Sequence, residues 1–199
     1  MIPTIGIVGG IGSGKSVVAD AMVPLGGYLI AADLLGHEAL REPDIRAKLV
    51  ERWGPGILNA QGEIDRRAVA AIVFADAVQL RILEAFVFPF IENRILAEML
   101  HARARPDVRF IILDAAILLE AGWDRHCDKV LFVDAPRPLR LARLEEKRRW
   151  NEQEVERREA MQMPIDEKRK RADAVIVNDA DVQKVIDQVQ DALVRWKMI

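Results

Sequence analysis

The sequence predicts an α/β protein, with a parallel sheet of about five strands and helices on both faces of that sheet. Two observations favour this fold. Short, continuous apolar runs, which are typical of strands buried on both faces, alternate with longer stretches of helical pattern. That alternation implies right-handed crossovers between parallel strands. With 199 residues the chain can form one compact domain with insertions, and it can bury a core without disulfides or metals.

The predicted elements follow one another along the chain. Strands are expected at 5–8, 27–30, 109–113, 129–133 and 174–177, and a helix is expected at 17–25, after the first strand. The connection 33–107 is too long for a simple crossover and has a helical pattern throughout, so it predicts a helical subdomain. Within it, Ala75-Asp76 is a candidate cap for a long helix that Pro89 kinks near its middle.

Two further helices are predicted in the second half of the chain. One opens at Pro136-Arg137-Pro138, where proline favours a helix start. The other begins at Asp181 and closes the core with one apolar face. The residues predicted on that face are Val182, Val185, Ile186, Val189, Leu193 and Trp196.

The segment 9–16 reads Gly-Gly-Ile-Gly-Ser-Gly-Lys-Ser and matches the phosphate-binding loop pattern G-x-x-x-x-G-K-[ST]. Its glycines allow positive φ angles, so that backbone N–H groups can surround phosphate oxygens at a helix N-terminus. Lys15 is predicted to reach the β- and γ-phosphates, and the Ser16 hydroxyl to complete a Mg²⁺ shell. The alternative, a glycine-rich turn with an incidental lysine, has no need of Lys-Ser at this spacing. The residues predicted to bind the nucleotide here are Gly10, Gly12, Ser13, Gly14, Lys15, Ser16 and Val17.

Ligands of open α/β sheets sit beyond the carboxyl ends of the strands, so residues that directly follow the strands are candidates for a site. We consider 9–16, 31–33, 114–120 and 134–143 in this way. Asp33 follows the second strand, where its carboxylate could accept a proton from an attacking hydroxyl. The alternative is that Asp33 caps a helix starting at Leu34.

Basic residues carry a second part of the prediction. Arg140, Arg143 and Lys147 share one face of the helix after Pro136, and such a helix can close over a triphosphate. Arg143 is the strongest candidate of the three. The alternative is a solvated face, on which these cations pair with Glu145, Glu146 and Glu152. The basic run 168–171 could equally lie near the nucleotide or in solvent.

Composition argues against several other functions. The net charge of −2 and the pI of about 6.0 give no basic field for nucleic acid. No apolar stretch is long enough for a membrane helix, and no basic region with a cleavage site precedes the first strand. The lone Cys127 fits a reducing compartment, and the histidines 37, 101 and 126 have no metal-ligand spacing. We therefore expect a cytoplasmic protein, a monomer or weak homo-oligomer, without nucleic-acid or membrane partners.

Taken together, these residues resemble the bacterial dephospho-coenzyme A kinase family, nearly end to end. The resemblance is carried by the loop 9–16 and by the following residues and motifs: Ala32-Asp33, Gly62-Glu63-Ile64-Asp65-Arg66 leading to Phe74, Leu83-Glu84, Pro89, Leu118-Leu119-Glu120 with Gly122, Ala135-Pro136, Arg143, Gln162-Met163-Pro164, Lys168, Ala172-Asp173, and Val175-Ile176 with Asn178. The chain departs from the family pattern at Ala31, Phe88, Ala116, Arg140 and Lys147.

The resemblance implies a three-layer P-loop kinase fold that phosphorylates the ribose 3′-hydroxyl of dephospho-CoA with ATP and Mg²⁺. By resemblance, Asp33 is the catalytic base, and Arg143 and Lys147 lie near the phosphates. The same resemblance implies acceptor contacts at Asp33, Arg66, Pro89, Leu118 and Glu120. It also implies a nucleotide-binding core (1–32, 107–135 and 172–199), an acceptor-binding subdomain (33–106) and a lid (136–171). Two alternatives remain open: a kinase acting on another nucleoside or nucleotide, and a non-catalytic ATP-binding regulator.

Overall fold

The structure, a computed structural model, describes residues 2–179 and 181–199 and divides the chain into two compact units. The first unit contains the residues up to Ala31 together with Glu98–Ile199, and the second is Ala32–Ala97. The helical insert predicted at 33–106 contains most of this second unit, and the residues of its last helix from Glu98 onward belong to the first unit.

The first unit is built on a parallel sheet of five strands, as counted over the described residues. The strands are β1 (Thr4–Gly9), β2 (Gly27–Ala31), β3 (Phe110–Asp114), β4 (Lys129–Asp134) and β5 (Ala174–Val177). Their order in the sheet is β2-β3-β1-β4-β5. The predicted strand count and direction are confirmed, with ends that shift by a residue at β1, β2, β3 and β4. Because β1 lies between β3 and β4, the loop that follows it leaves from the middle of the sheet.

Two helices cover one face of this sheet and form the main core with it. They are α1 (Lys15–Met22) and α9 (Val182–Arg195). Core residues from the strands and from these helices are fully or almost fully buried: Ile5, Ile7, Val18, Met22, Phe110, Ile112, Leu131, Val133, Ile176, Val185, Val189 and Leu193. The prediction that Val182 belongs to the buried face of α9 is wrong. Val182 is exposed because it occupies the first turn, directly after the Asp181 cap.

The other helices of the first unit follow β4. They are α6 (Arg137–Arg148), α7 (Glu152–Glu159) and α8 (Ile165–Lys170), and the predicted start at Pro136-Arg137 is confirmed because Pro136 is the N-cap of α6. Among the described residues, no helix combines the length and the apolar character that crossing a membrane requires.

The second unit is helical, as predicted. It contains α2 (Ala32–Ala39), α3 (Pro43–Trp53), α4 (Arg66–Val73) and most of α5 (Ala77–Arg103). The carboxylate of Asp76 accepts a hydrogen bond from the Val78 backbone N–H at 2.7 Å, so the predicted cap of α5 is confirmed. Pro89 lies inside α5, and the helix continues beyond it.

Candidate active site

The glycine-rich loop joins β1 to α1, as its sequence predicts. Gly12 and Gly14 have φ angles of 78° and 85°, in the left-handed region that only glycine adopts readily. Gly14 is also the N-cap of α1, so the loop ends at the positive end of that helix dipole. Successive residues of this kind form a concave nest of backbone N–H groups that binds anions.

The carbonyl oxygens of the loop are held from outside. The Ile11 carbonyl accepts a hydrogen bond from Arg140 Nη1 at 3.1 Å, and the Ser13 carbonyl accepts from Asn178 Nδ2 at 2.8 Å and from Arg143 Nη1 at 3.3 Å. In a trans peptide the C=O and the next N–H point in opposite directions. Fixing these two carbonyls outward therefore turns the Gly12 and Gly14 N–H groups toward the inside of the loop, where an anion would bind.

Sequence reasoning did not assign a role to Asn178. The residue is 3% exposed, follows β5 directly, and its own backbone N–H donates to the Asp134 carbonyl at 2.7 Å. A Cβ atom at Gly14 would lie 2.2 Å from Asn178 Nδ2, so the amide packs against the loop too closely for any residue but glycine. Ligands of such sheets lie beyond the carboxyl ends of the strands, so considering the residue after β5, as was done for the other strands, would have identified Asn178 as a candidate.

Helix α6 places its three predicted cations in different surroundings. Arg143 contacts the loop and also donates from Nη2 to the carbonyl and side-chain oxygens of Asn178, both at 3.3 Å. Arg140 is buried against Ile11, whereas Lys147, one turn beyond Arg143, is exposed. The alternative of a uniformly solvated face is wrong for Arg140 and Arg143, because both reach the backbone of the loop.

A cleft of about 280 Å³ opens beside Gly10 and Ile11 and is bounded by the segments that carry α6, α7 and α8. Its charged lining consists of Arg137, Arg140, Lys168 and Glu159. Burial alone would raise the pKa of Glu159, but hydrogen bonds from Arg140 and Arg137 outweigh this effect and hold that pKa below its ordinary value. The Glu159 carboxylate is therefore ionised at neutral pH and offsets part of the positive charge of Arg137 and Arg140.

The basic run 168–171 divides into one buried and three exposed residues. Lys168 is 2% exposed, and its ammonium lies 2.7 Å from Glu120 Oε1, 3.1 Å from Gln162 Oε1 and 3.2 Å from the Ala116 carbonyl. Glu120 Oε1 also accepts from the Met163 N–H at 2.9 Å. Glu120, predicted as an acceptor contact, thus ties the loop after β3 to the start of α8. Leu118, predicted for the same role, is fully buried and packs beside Gly6.

We expect Lys168→Met to lower the free energy of unfolding by about 3 kcal/mol, because removing one partner of a buried ion pair leaves the other charge uncompensated. Equilibrium denaturation in urea measures this loss. The matched control is Lys170→Met in the same helix, where the side chain is 70% exposed and pairs with Glu167. That variant should leave the urea midpoint nearly unchanged because the pair is exposed, and equal losses for both variants would contradict a special role for Lys168.

The second unit carries the candidate base. Asp33 is exposed and lies in the first turn of α2, two residues beyond the end of β2. The helix begins at Ala32, so the alternative that Asp33 is its N-cap is wrong. Burial lowers the pKa of His37, the positive charge of Arg66 lowers it further, and the charge of Asp33 opposes both. Asp33 and Arg66 thus both act electrostatically on the His37 imidazole, which is neutral at pH 7, while Pro89 is exposed on α5.

Lys15 and Ser16 open helix α1, and the Ser16 side chain is exposed at its N-terminus. A hydroxyl in this position fits Mg²⁺, which takes few protein ligands when phosphates and water supply the rest. Cys127 is unsuited to chemistry, since its burial, together with the nearby Asp124 and Asp128, raises the pKa of its thiol to about 12.

Comparison with known proteins identifies the family of the chain. Residues 3–184 match the family model for dephospho-CoA kinase. A dephospho-CoA kinase of Geobacillus kaustophilus is 39% identical over 98% of both chains. The crystal structure of the Thermus thermophilus protein TT1252 superposes with a TM-score of 0.82 at 33% identity, covering 98% of this chain and 97% of the other. Dephospho-CoA kinase from Campylobacter jejuni gives a TM-score of 0.71 at 25% identity over 98% of both chains. The chain belongs to the dephospho-CoA kinase family.

Proposed function

We propose that this protein transfers the γ-phosphoryl group of ATP to the ribose 3′-hydroxyl of dephospho-CoA, giving CoA and ADP. The observation that carries the proposal is the loop, whose Ile11 and Ser13 carbonyls are held outward so that its amides can receive a phosphate. Family membership identifies the acceptor. The single, half-buried Cys127 is consistent with a reaction in the reducing cytoplasm.

The reaction is an in-line displacement at the γ-phosphorus. The 3′-oxygen of the acceptor forms the new P–O bond while the bond to the β-phosphate oxygen breaks, and ADP leaves. In this scheme Asp33 orients the hydroxyl and takes its proton, since the carboxylate is exposed in the first turn of α2, two residues beyond the end of β2. The acceptor contacts that we propose besides Asp33 are Arg66, Pro89 and Glu120. Leu118, which the resemblance also implied, is fully buried and packs in the core instead.

The donor is held by the other unit. The loop residues Gly10 to Val17 bind the phosphates, and Lys15 neutralises the β- and γ-oxygens. Arg143, already in contact with the loop, stabilises charge that develops on the transferred group, and the exposed Lys147 adds a cation at longer range. The Ser16 hydroxyl would hold Mg²⁺, whose charge would there make the phosphate oxygens less negative.

The test is acceptor-dependent release of ADP. Purified protein with ATP and Mg²⁺ should release ADP with dephospho-CoA and should release little without an acceptor or with a panel of nucleosides and nucleotides. Preference for another member of the panel would replace the proposed acceptor. ATP binding in calorimetry without any acceptor-dependent ADP would instead identify a non-catalytic ATP-binding regulator. Oligomeric state, which we propose to be a monomer or weak homo-oligomer, is measured by sedimentation.

A further inference from the structure

The last residue of α7, Glu159, forms an ion pair with Arg140 of α6, which packs against the phosphate-binding loop. Glu159 Oε1 is 2.6 Å from Arg140 Nη1, and Glu159 Oε2 is 2.8 Å from Arg137 Nη1. The same Nη1 of Arg140 donates to the Ile11 carbonyl. A single guanidinium nitrogen therefore joins the tip of the loop to the end of α7.

Arg140 is nearly enclosed in this position. The residue is 6% exposed, and its Nε finds no hydrogen-bond partner within the described part of the chain. A Cβ atom at Gly10 would lie 2.8 Å from Arg140 Nη1, so the guanidinium packs directly on the loop backbone. A buried guanidinium with an unsatisfied donor needs an anion beside it, and Glu159 provides that charge.

The two arginines that share Glu159 differ in their dependence on it. Arg137 also reaches Glu152 at 3.2 Å and Glu156 at 3.3 Å through Nη2, and it is partly exposed. Loss of Glu159 would leave Arg137 with two carboxylates. Among the residues that the structure describes, Glu159 supplies the carboxylate that pairs with Arg140. Loss of the Glu159 carboxylate therefore affects the pairing of Arg140 more than that of Arg137.

We propose that Glu159 takes the place of a phosphate in the nucleotide-free protein and that Arg140 exchanges this carboxylate for a phosphate oxygen when ATP enters the loop. Glu159 is thus a positioning residue, which acts through Arg140. The inference rests on the proposed function only in requiring that the loop binds ATP. Binding of ATP must then include the free-energy cost of separating Arg140 from Glu159. A variant without the Glu159 carboxylate does not have this cost, so it should bind ATP more tightly.

The test is a double-mutant cycle on the Kd for ATP, measured by calorimetry without acceptor. Glu159→Gln should lower the Kd by about fivefold, and Arg140→Met should raise it by about tenfold, within the range of typical coupling between linked sites. In the double variant the effect of Glu159→Gln should vanish, and the Kd should equal that of Arg140→Met alone. Glu156→Gln is the matched control: it removes a neighbouring carboxylate that contacts Arg137, and it should leave the Kd unchanged.

A purely structural ion pair would give a different pattern. Glu159→Gln would then lower the melting temperature without tightening ATP binding. A Kd for ATP that is unchanged or higher in this variant overturns the proposal. An equal decrease in the Kd for ATP in Glu156→Gln also overturns the proposal, because the effect would then come from removing any negative charge in this region. If Glu159→Gln folds poorly, Glu159→Asp repeats the test, since the shorter side chain cannot hold Arg140 at the same distance. Acceptor-dependent ADP release is measured in parallel. If the double-mutant cycle gives the expected Kd values but no ADP is released with dephospho-CoA, the proposed acceptor is wrong and the exchange at Arg140 still holds.

Discussion

Replacing Asp33 with asparagine is expected to lower kcat by about 10²–10⁴-fold, the usual contribution of a general base, while the Kd for ATP stays within about twofold. Asparagine keeps the size and shape of the side chain but cannot take the proton of the attacking hydroxyl. Asp33 is exposed and lies outside the unit that carries the loop, so its loss should not disturb the phosphate site. Steady-state kinetics with dephospho-CoA, and calorimetry with ATP alone, separate the two effects.

A matched carboxylate on the same helix provides the control. Glu38 lies in α2, about half exposed, and pairs with Arg94 at 3.3 Å. Glu38→Gln removes one negative charge from the same helix at a distance of five residues in sequence, so kcat should remain unchanged. Near-normal turnover of Asp33→Asn would remove Asp33 from the role of base, and a comparable loss in Glu38→Gln would indicate a general effect of charge on this helix.

Gly14→Ala is expected to weaken ATP binding by about 100-fold. A residue with a Cβ costs about 1–2 kcal/mol in the left-handed conformation that Gly14 adopts, and each 1.4 kcal/mol corresponds to a tenfold change in affinity. The new methyl group would also lie 2.2 Å from Asn178 Nδ2, which holds the Ser13 carbonyl. Displacing that amide frees the peptide plane that turns the Gly14 N–H inward. Calorimetric titration with ATP measures the loss.

Two glycines of the second unit separate the causes of that loss. Gly54 has a φ of 78° but nothing within 4 Å of an added Cβ, and Gly56 also has open space there. Gly54→Ala should therefore reduce stability through backbone strain alone, and Gly56→Ala should have little effect. Both should bind ATP normally. Wild-type affinity in a folded Gly14→Ala variant would show that the loop does not depend on the Asn178 contact.

The parts of this fold that depend on local sequence could be predicted. The apolar runs gave all the strands of the described sheet to within a residue at each end, and Asp76 and Asp181 cap the helices that follow them. These signals are short-range, because a cap bonds to backbone two or three residues away. The loop 9–16 was recognised for the same reason, since its pattern is contiguous.

The groups that surround the loop could not be predicted in the same way. Arg140 and Glu159 are nineteen residues apart and meet only because a reversal separates α6 from α7, with Arg149 in the left-handed region at a φ of 55°. Lys168 and Arg169 look alike in sequence, yet one is buried against Glu120 and the other is half exposed. Which member of a charge run is enclosed depends on the tertiary packing, which composition does not reveal.

The outward-held carbonyls of the loop mean that the phosphate-binding signature is not autonomous. The donors that fix the Ile11 and Ser13 carbonyls come from residues 129, 130 and 165 positions further along the chain. An N-terminal fragment that stops before Arg140 would retain the whole phosphate-binding sequence and lose the orientation of its amides. The eight-residue segment placed in another protein should likewise bind phosphate poorly unless that protein supplies equivalent hydrogen-bond donors to the two carbonyls.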